Sequence, residues 1–142
     1  KSLTSINLSN FDTSNVKNMS SMFNACNNLN QIIGLENFNT TNVEDMSYMF
    51  YSCENIKDLN LSSFQTANVT NMSCMFFNCF KLTSLDLSNF DTKNITDMNH
   101  IFAGCTNVTA IYVGDKWDLS NVQNTNDMFA NCGVTTTTYK NL

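Results

Sequence analysis

Apolar positions recur along the chain in a short phrase with L-x-x-L-x-L spacing. It occurs at Leu3, Ile6, Leu8; Leu29, Ile32, Leu35; Ile56, Leu59, Leu61; Leu82, Leu85, Leu87; and Val108, Ile111, Val113. The later apolar positions alternate with polar ones, the period-two pattern of a half-buried strand. A second pattern follows each phrase. Met19, Met22, Phe23 and Cys26 sit at i, i+3, i+4 and i+7, which is one face of a helix, with Ser20, Ser21 and Asn24 on the other side. The residue before the first of these is Asn18, Asp45, Asn71, Asp97 or Asn124, each able to accept from the free amides of a first turn. The pattern predicts one short strand and one N-capped two-turn α or 3₁₀ helix per phrase.

Both patterns keep one period. Cys26, Cys53, Cys79, Cys105 and Cys132 are separated by 27, 26, 26 and 27 residues, and Phe11, Phe38, Phe64, Phe90 and Trp117 repeat the same steps. So do Asn15, Asn42, Asn68, Asn94 and Asn121. The unit is 26 residues, with single insertions near Ile33/Gly34 and Gly114. One strand and one short helix cannot bury their apolar faces alone, so units must stack on each other. The expected fold is an α/β repeat: a right-handed leucine-rich-repeat-type solenoid forming a single domain over 1–142. Its five coils span approximately 3–28, 29–55, 56–81, 82–107 and 108–133, with a degenerate C-terminal cap at 134–142 whose strand begins near Val134. Because the chain opens on a repeat phrase, it reads as a fragment of a longer protein.

Composition narrows the function classes. The chain is 42% hydrophobic but only 13% charged, with a net charge of -5. No cluster of cations exists to neutralise phosphates, which argues against nucleic acid. No run approaches the roughly 20 apolar residues of a membrane helix, so no membrane insertion of this segment is expected.

The residues 82–105 spell L-x-x-L-x-L-S-x-F-D-T-x-N-V-x-x-M-x-x-M-F-x-x-C, apart from Ile95 and Ile101. This pattern resembles the BspA-like leucine-rich repeats, the 26-residue repeat of bacterial surface proteins, across essentially the whole chain. The departures are Thr125 in the methionine column and the tail "VTTTTYKNL". The resemblance implies a cell-surface or secreted protein, and for some members adhesion to host matrix or cell-surface proteins.

The cysteine column invites metal or redox readings. Stacked at strand spacing with parallel side chains, the five thiols lack the convergent geometry of a disulfide or a tetrahedral zinc site. They read instead as small buried hydrophobes closing the apolar face, and the Asn15 to Asn121 column as a structural ladder that fixes turns. No cofactor or metal is expected. Cys74 lies off the beat, on the predicted polar side, and is the candidate reactive thiol. The only histidine, His100, shares that outward column and has only Asp97 and Cys74 as chemical neighbours, too little for a catalytic arrangement. The row Thr13, Thr40, Thr66, Thr92 raises the thought of an ice-binding array but carries one threonine per coil and adjoins the asparagine ladder.

Repeat stacks bind partners through surfaces made by repetition, commonly the strand face. Its outward columns are Ser5, Gln31, Asp58, Ser84, Ala110 and Asn7, Ile33, Asn60, Asp86, Tyr112, a polar, mildly acidic strip. The candidate binding residues are Asp58, Asn60, Ser84, Asp86, Ala110 and Tyr112. The expected function is non-catalytic adhesion or protein binding, the partner being a host matrix or cell-surface protein or a glycoprotein. The alternatives are a structural spacer presenting another domain and, more distantly, a thiol-dependent enzyme.

Overall fold

The computed structural model describes residues 2–140. The ends of the predicted domain, Lys1 and the last two residues of the tail, lie outside the described residues. Successive 26-residue units lie one on another in a repeat-like fold of short parallel strands and turns with almost no helix. Strands β1 (Ser5–Asn7) and β2 (Gln31–Ile33) form one sheet, and β3 (Ser84–Leu87), β4 (Ala110–Val113) and β5 (Thr138–Tyr139) form another. All pairs are parallel, and each residue faces its equivalent one unit on: Ile6 faces Ile32, Leu85 faces Ile111, and Tyr112 faces Thr138. The tail therefore keeps the repeat's register, although its strand begins at Thr138 and not near Val134.

Two expectations are corrected. The third unit supplies no strand: 57–60 pairs with neither sheet, although "KDLNL" has the expected alternation. The predicted helices are also absent. Ser21, Ala25, Tyr48, Ser52, Cys74, Asn78, His100, Asp127 and Asn131 all have positive φ, between 52° and 59°, and Gly104 has 78°. A left-handed residue at every fourth position cannot be accommodated in an α or 3₁₀ helix.

The segment is instead a ribbon of turns. Amides of Met22, Asn24 and Cys26 bond three residues back, to Met19, Ser21 and Phe23. The alternate amides, on Met19, Ser21, Phe23 and Ala25, reach across to carbonyls of Asp45, Ser47, Met49 and Tyr51 in the next unit. The same four crossings recur at every joint of the five units. This ribbon, not the interrupted sheet, is the continuous spine. The predicted capping residues do accept backbone amides, but as turns: Ser20 N–H donates to Asn18 Oδ1 at 2.7 Å, and Ser47 N–H to Asp45 Oδ1 at 2.8 Å.

In the middle units the i, i+3, i+4, i+7 residues still face inward, whereas Met22 and Thr125 in the end units are exposed. Phe23, Phe50, Phe76, Phe102 and Phe129 form one aromatic column with centroid spacings of 5.4, 5.8, 6.0 and 5.5 Å. Ser47 and Ser73, in the predicted polar column of Ser20, are buried instead. The threonine row is likewise buried and cannot present a flat array to ice. Each hydroxyl replaces a backbone pair: Thr66 Oγ1 donates to the Asp91 carbonyl at 2.9 Å and accepts from the Asp91 amide at 2.8 Å. The inserted Gly34, at φ 91°, opens a single 3₁₀ turn at Leu35–Asn37; a Cβ there would collide with the Ser9 backbone.

The bridged ladder Asn18, Asp45, Asn71, Asp97, Asn124 alternates amide with carboxylate. Neighbours in it lie at strand spacing, about 4.8 Å, so the alternation keeps like charges two units apart. Asn71→Asp retains the turn acceptor but places three carboxylates in a row. It is expected to lower unfolding stability by about 1–2 kcal/mol at neutral pH. Mutual repulsion raises the folded-state pKa values, so the penalty is present above them and fades as acidification protonates the row. Urea denaturation at pH 7 and at pH 4 reads the difference; an equal loss at both would mean that charge is not the reason for the alternation.

Candidate functional site

The strand-face residues are exposed but not equally free. Asp58, Asn60, Ser84, Asp86 and Tyr112 are open to solvent and Ala110 is half-buried. Ser84 and Asp86 lie on β3, and Ala110 and Tyr112 on β4; Asp58 and Asn60 lie in the segment that pairs with neither sheet. None of the amides from Asp58 to Leu61 has a backbone partner.

Clefts flank this break. One, of about 180 Å³, is bounded by Gln31, Ile32, Asp58 and Leu59; the other, of about 310 Å³, by Leu59, Asn60, Asp86, Asn89 and Lys140. Some of the strip is engaged within the chain. Asn60 Oδ1 accepts from the Ser62 hydroxyl at 2.6 Å and its amide at 3.2 Å. Asp86 Oδ2 lies 2.5 Å from Lys140 Nζ, and its Oδ1 accepts the Ser88 amide at 3.0 Å. Partial burial alone would raise the Asp86 carboxyl; Lys140 and Ser88 outweigh it and hold the group below the ordinary carboxylate range. Lys140, 54 residues away, was not among the residues expected at this face.

The ladders bind unit to unit. The thiols of Cys53, Cys79 and Cys105 donate to the carbonyls of Phe23, Phe50 and Phe76 at 3.2, 3.2 and 3.0 Å, and all six cysteines are free. Cys26 and Cys132, in the end units, are half-buried. Asn42, Asn68 and Asn94 donate to the carbonyls of Ser14, Thr41 and Ala67 one unit back; the side chains of the asparagine column run along the surface, not in the core.

Cys74 departs from expectation. It is buried, 8% exposed, and burial pushes its thiol up, the reverse of activation. Its column is open or half-open in the other units; Cys74 is the buried member, in contact with Tyr48 and Asn99 of the units on either side. Among the described residues, no group of three His, Cys, Asp or Glu side chains could hold a metal ion, and no helix is long and apolar enough to cross a membrane.

Burial pushes the Cys53 thiol up to about 12, and the adjoining Cys105 thiol together with burial pushes Cys79 well above the ordinary range. An unfolded thiol ionises near 8.5, so above that pH the unfolded chain releases protons that the folded chain keeps. Stability is therefore fully present below about pH 8.5 and falls as pH rises towards 12. Denaturation midpoints across this range are expected to fall steadily, with a shallower slope in Cys53→Ala. A native-state thiol titration is expected to label Cys26 and Cys132 before the interior four.

One surface was missed by sequence reasoning. Tyr48, Tyr51, Phe77 and His100 lie side by side on the turn ribbon of the middle units. The signal was available, since the first unit carries Ser21 and Asn24 in those columns.

The family model described as Mycoplasma protein of unknown function, DUF285, matches residues 1–114 and again 33–141. The chain belongs to this family. No characterised protein and no solved structure matches the chain.

Proposed function

We propose that the chain is a non-catalytic protein-binding module: a right-handed solenoid of leucine-rich-repeat type, similar to the BspA-like repeats, that acts at a cell surface or after secretion. It binds through the strand face, and its partner is a matrix or cell-surface protein. The observation that carries this reading is the interrupted strand face itself. Unpaired amides at 58–61, the flanking clefts and the exposed Tyr112 ring offer a partner hydrogen bonds, concavity and aromatic area together. The buried ladders hold these groups in place, and the thiol of Cys74 is buried and raised, the reverse of activation.

The test is binding to a panel of immobilised extracellular-matrix and cell-surface proteins, comparing the wild-type chain with Asp86→Ala/Tyr112→Ala. A partner that binds through this face is expected to lose about tenfold or more in affinity, as for truncation of an aromatic anchor. Unchanged binding by the double variant, or no binding by the wild type, overturns the strand-face reading.

A further inference from the structure

The internal repeat supplies its own standard of comparison. A side chain that the fold requires recurs in its column; one that appears in some units only, and on the surface, does something else. The ribbon columns of Ser21 and Asn24 carry Tyr48 and Tyr51 in the second unit, Cys74 and Phe77 in the third, and His100 and Ala103 in the fourth. The outcome is a run of rings across three units. Tyr48 lies 5.6 Å from Tyr51, Tyr51 stacks on Phe77 at 4.9 Å, and Phe77 lies 6.0 Å from His100. Tyr48 is 40% exposed.

Packing does not require these rings, and the backbone is poorly suited to the first of them. Tyr48 has φ 58°, a left-handed conformation that asparagine and aspartate tolerate and bulky residues avoid. Asp127 occupies the same column at φ 53°, so the position accepts the better-suited residue elsewhere. A strained aromatic residue held at a surface is a reason to look for a ligand.

The charge around the run identifies the ligand. The five ribbon segments at 18–27, 45–54, 71–80, 97–106 and 124–133 contain Asp45, Glu54, Asp97 and Asp127 and no lysine or arginine. The adjoining Cys74 thiol pushes the Tyr48 hydroxyl up and burial pushes the Cys74 thiol up, and the Asp97 carboxylate adds a smaller contribution to both. Asp127 Oδ2 lies 3.4 Å from His100 Nε2 at the far end. Rings with electron-rich faces beside the Asp97 and Asp127 carboxylates match a guanidinium, which stacks on the ring and forks onto a carboxylate. Phosphate-bearing partners are repelled by the same charge.

We infer that the ribbon face around Tyr48, Tyr51, Phe77 and His100 is a second binding surface, separate from the strand face, whose ligand is an arginine-rich protein segment. The probe is a fluorescein-labelled nona-arginine peptide, titrated against the full chain and followed by anisotropy at about 0.15 M salt, where long-range attraction is screened. Nona-lysine is run as the control. The variant is Tyr48→Ser/Tyr51→Asn, which places in these two columns the residues that the first unit carries as Ser21 and Asn24.

The arginine peptide is expected to bind the wild type more tightly than the lysine peptide and to bind the variant about tenfold more weakly. The strand-face variant Asp86→Ala/Tyr112→Ala should bind it as the wild type does. On the wild-type chain, nuclear magnetic resonance shifts on adding the arginine peptide should centre on the ring protons of Tyr48, Tyr51, Phe77 and His100, a readout independent of how any variant folds. Absence of wild-type binding, equal affinity for the two peptides, an unaffected tyrosine variant, or shifts centred on the strand face would each overturn the inference.

Discussion

Phe76→Ala is expected to destabilise the chain by about 3–5 kcal/mol, the upper range for deleting a buried ring. Phe76 is fully buried and stacks on Phe50 at 5.8 Å and on Phe102 at 6.0 Å. Its amide bonds to the Ile101 carbonyl, and its own carbonyl accepts the Cys105 thiol. Removing the ring opens a cavity between two others that the ribbon prevents from closing, because each unit's spacing is fixed by four backbone crossings. Phe23→Ala should cost less, since that ring has a stacked neighbour on one side only among the described residues. Urea unfolding of both variants checks the order, and an equal loss at the two positions would contradict a cavity closed in by stacking.

The second large effect is expected at a residue of unremarkable appearance. Thr66→Val preserves shape but removes the hydroxyl that both donates to and accepts from Asp91 in the next unit, at 2.9 and 2.8 Å. The Asp91 amide and carbonyl lose that partner at a buried joint, at a cost of about 2–4 kcal/mol for the two groups. Thr66→Ser keeps the hydroxyl and should lose about 1 kcal/mol or less. The serine and valine variants differ by only a few atoms, so thermal unfolding of the pair separates the hydrogen bonds from the packing. The threonine row shows why this was not legible in advance. As a column it is polar and regular, which is equally the signature of an exposed array; its burial follows from the chain's passage between units.

The sequence by itself determined the period, the stacking register and the interior. Residues one unit apart occupy equivalent backbone positions, so the cysteine and phenylalanine columns specify the repeat and, in the middle units, which side chains lie within it; Phe11 in the first unit is exposed. It also indicated an asparagine ladder, three of whose members bond from one unit to the previous one, on the surface. The ribbon's conformation was not determined. The spacing of Met19, Met22, Phe23 and Cys26 puts four side chains on one face of a helix, and a ribbon of turns with a left-handed residue at every fourth position does the same. Which of these forms depends on whether alternate amides find carbonyls in the neighbouring unit, a contact between residues 25 or 26 apart that no local pattern contains. That choice set Tyr48, Tyr51, Phe77 and His100 side by side.

The strand face divides in the same way. The columns from Ser84 and Asp86 to Ala110 and Tyr112 followed from alternation, because a strand's two faces are fixed by its pleat. The break in the ladder at 57–60 and the closure of Lys140 on Asp86 did not. The first is a failure of pairing between units that the alternation of "KDLNL" does not signal, and the second joins residues 54 apart. Periodicity is a local property that the chain carries in its letters. Pairing across the stack is a property of the assembled units, and only the tertiary structure decided it.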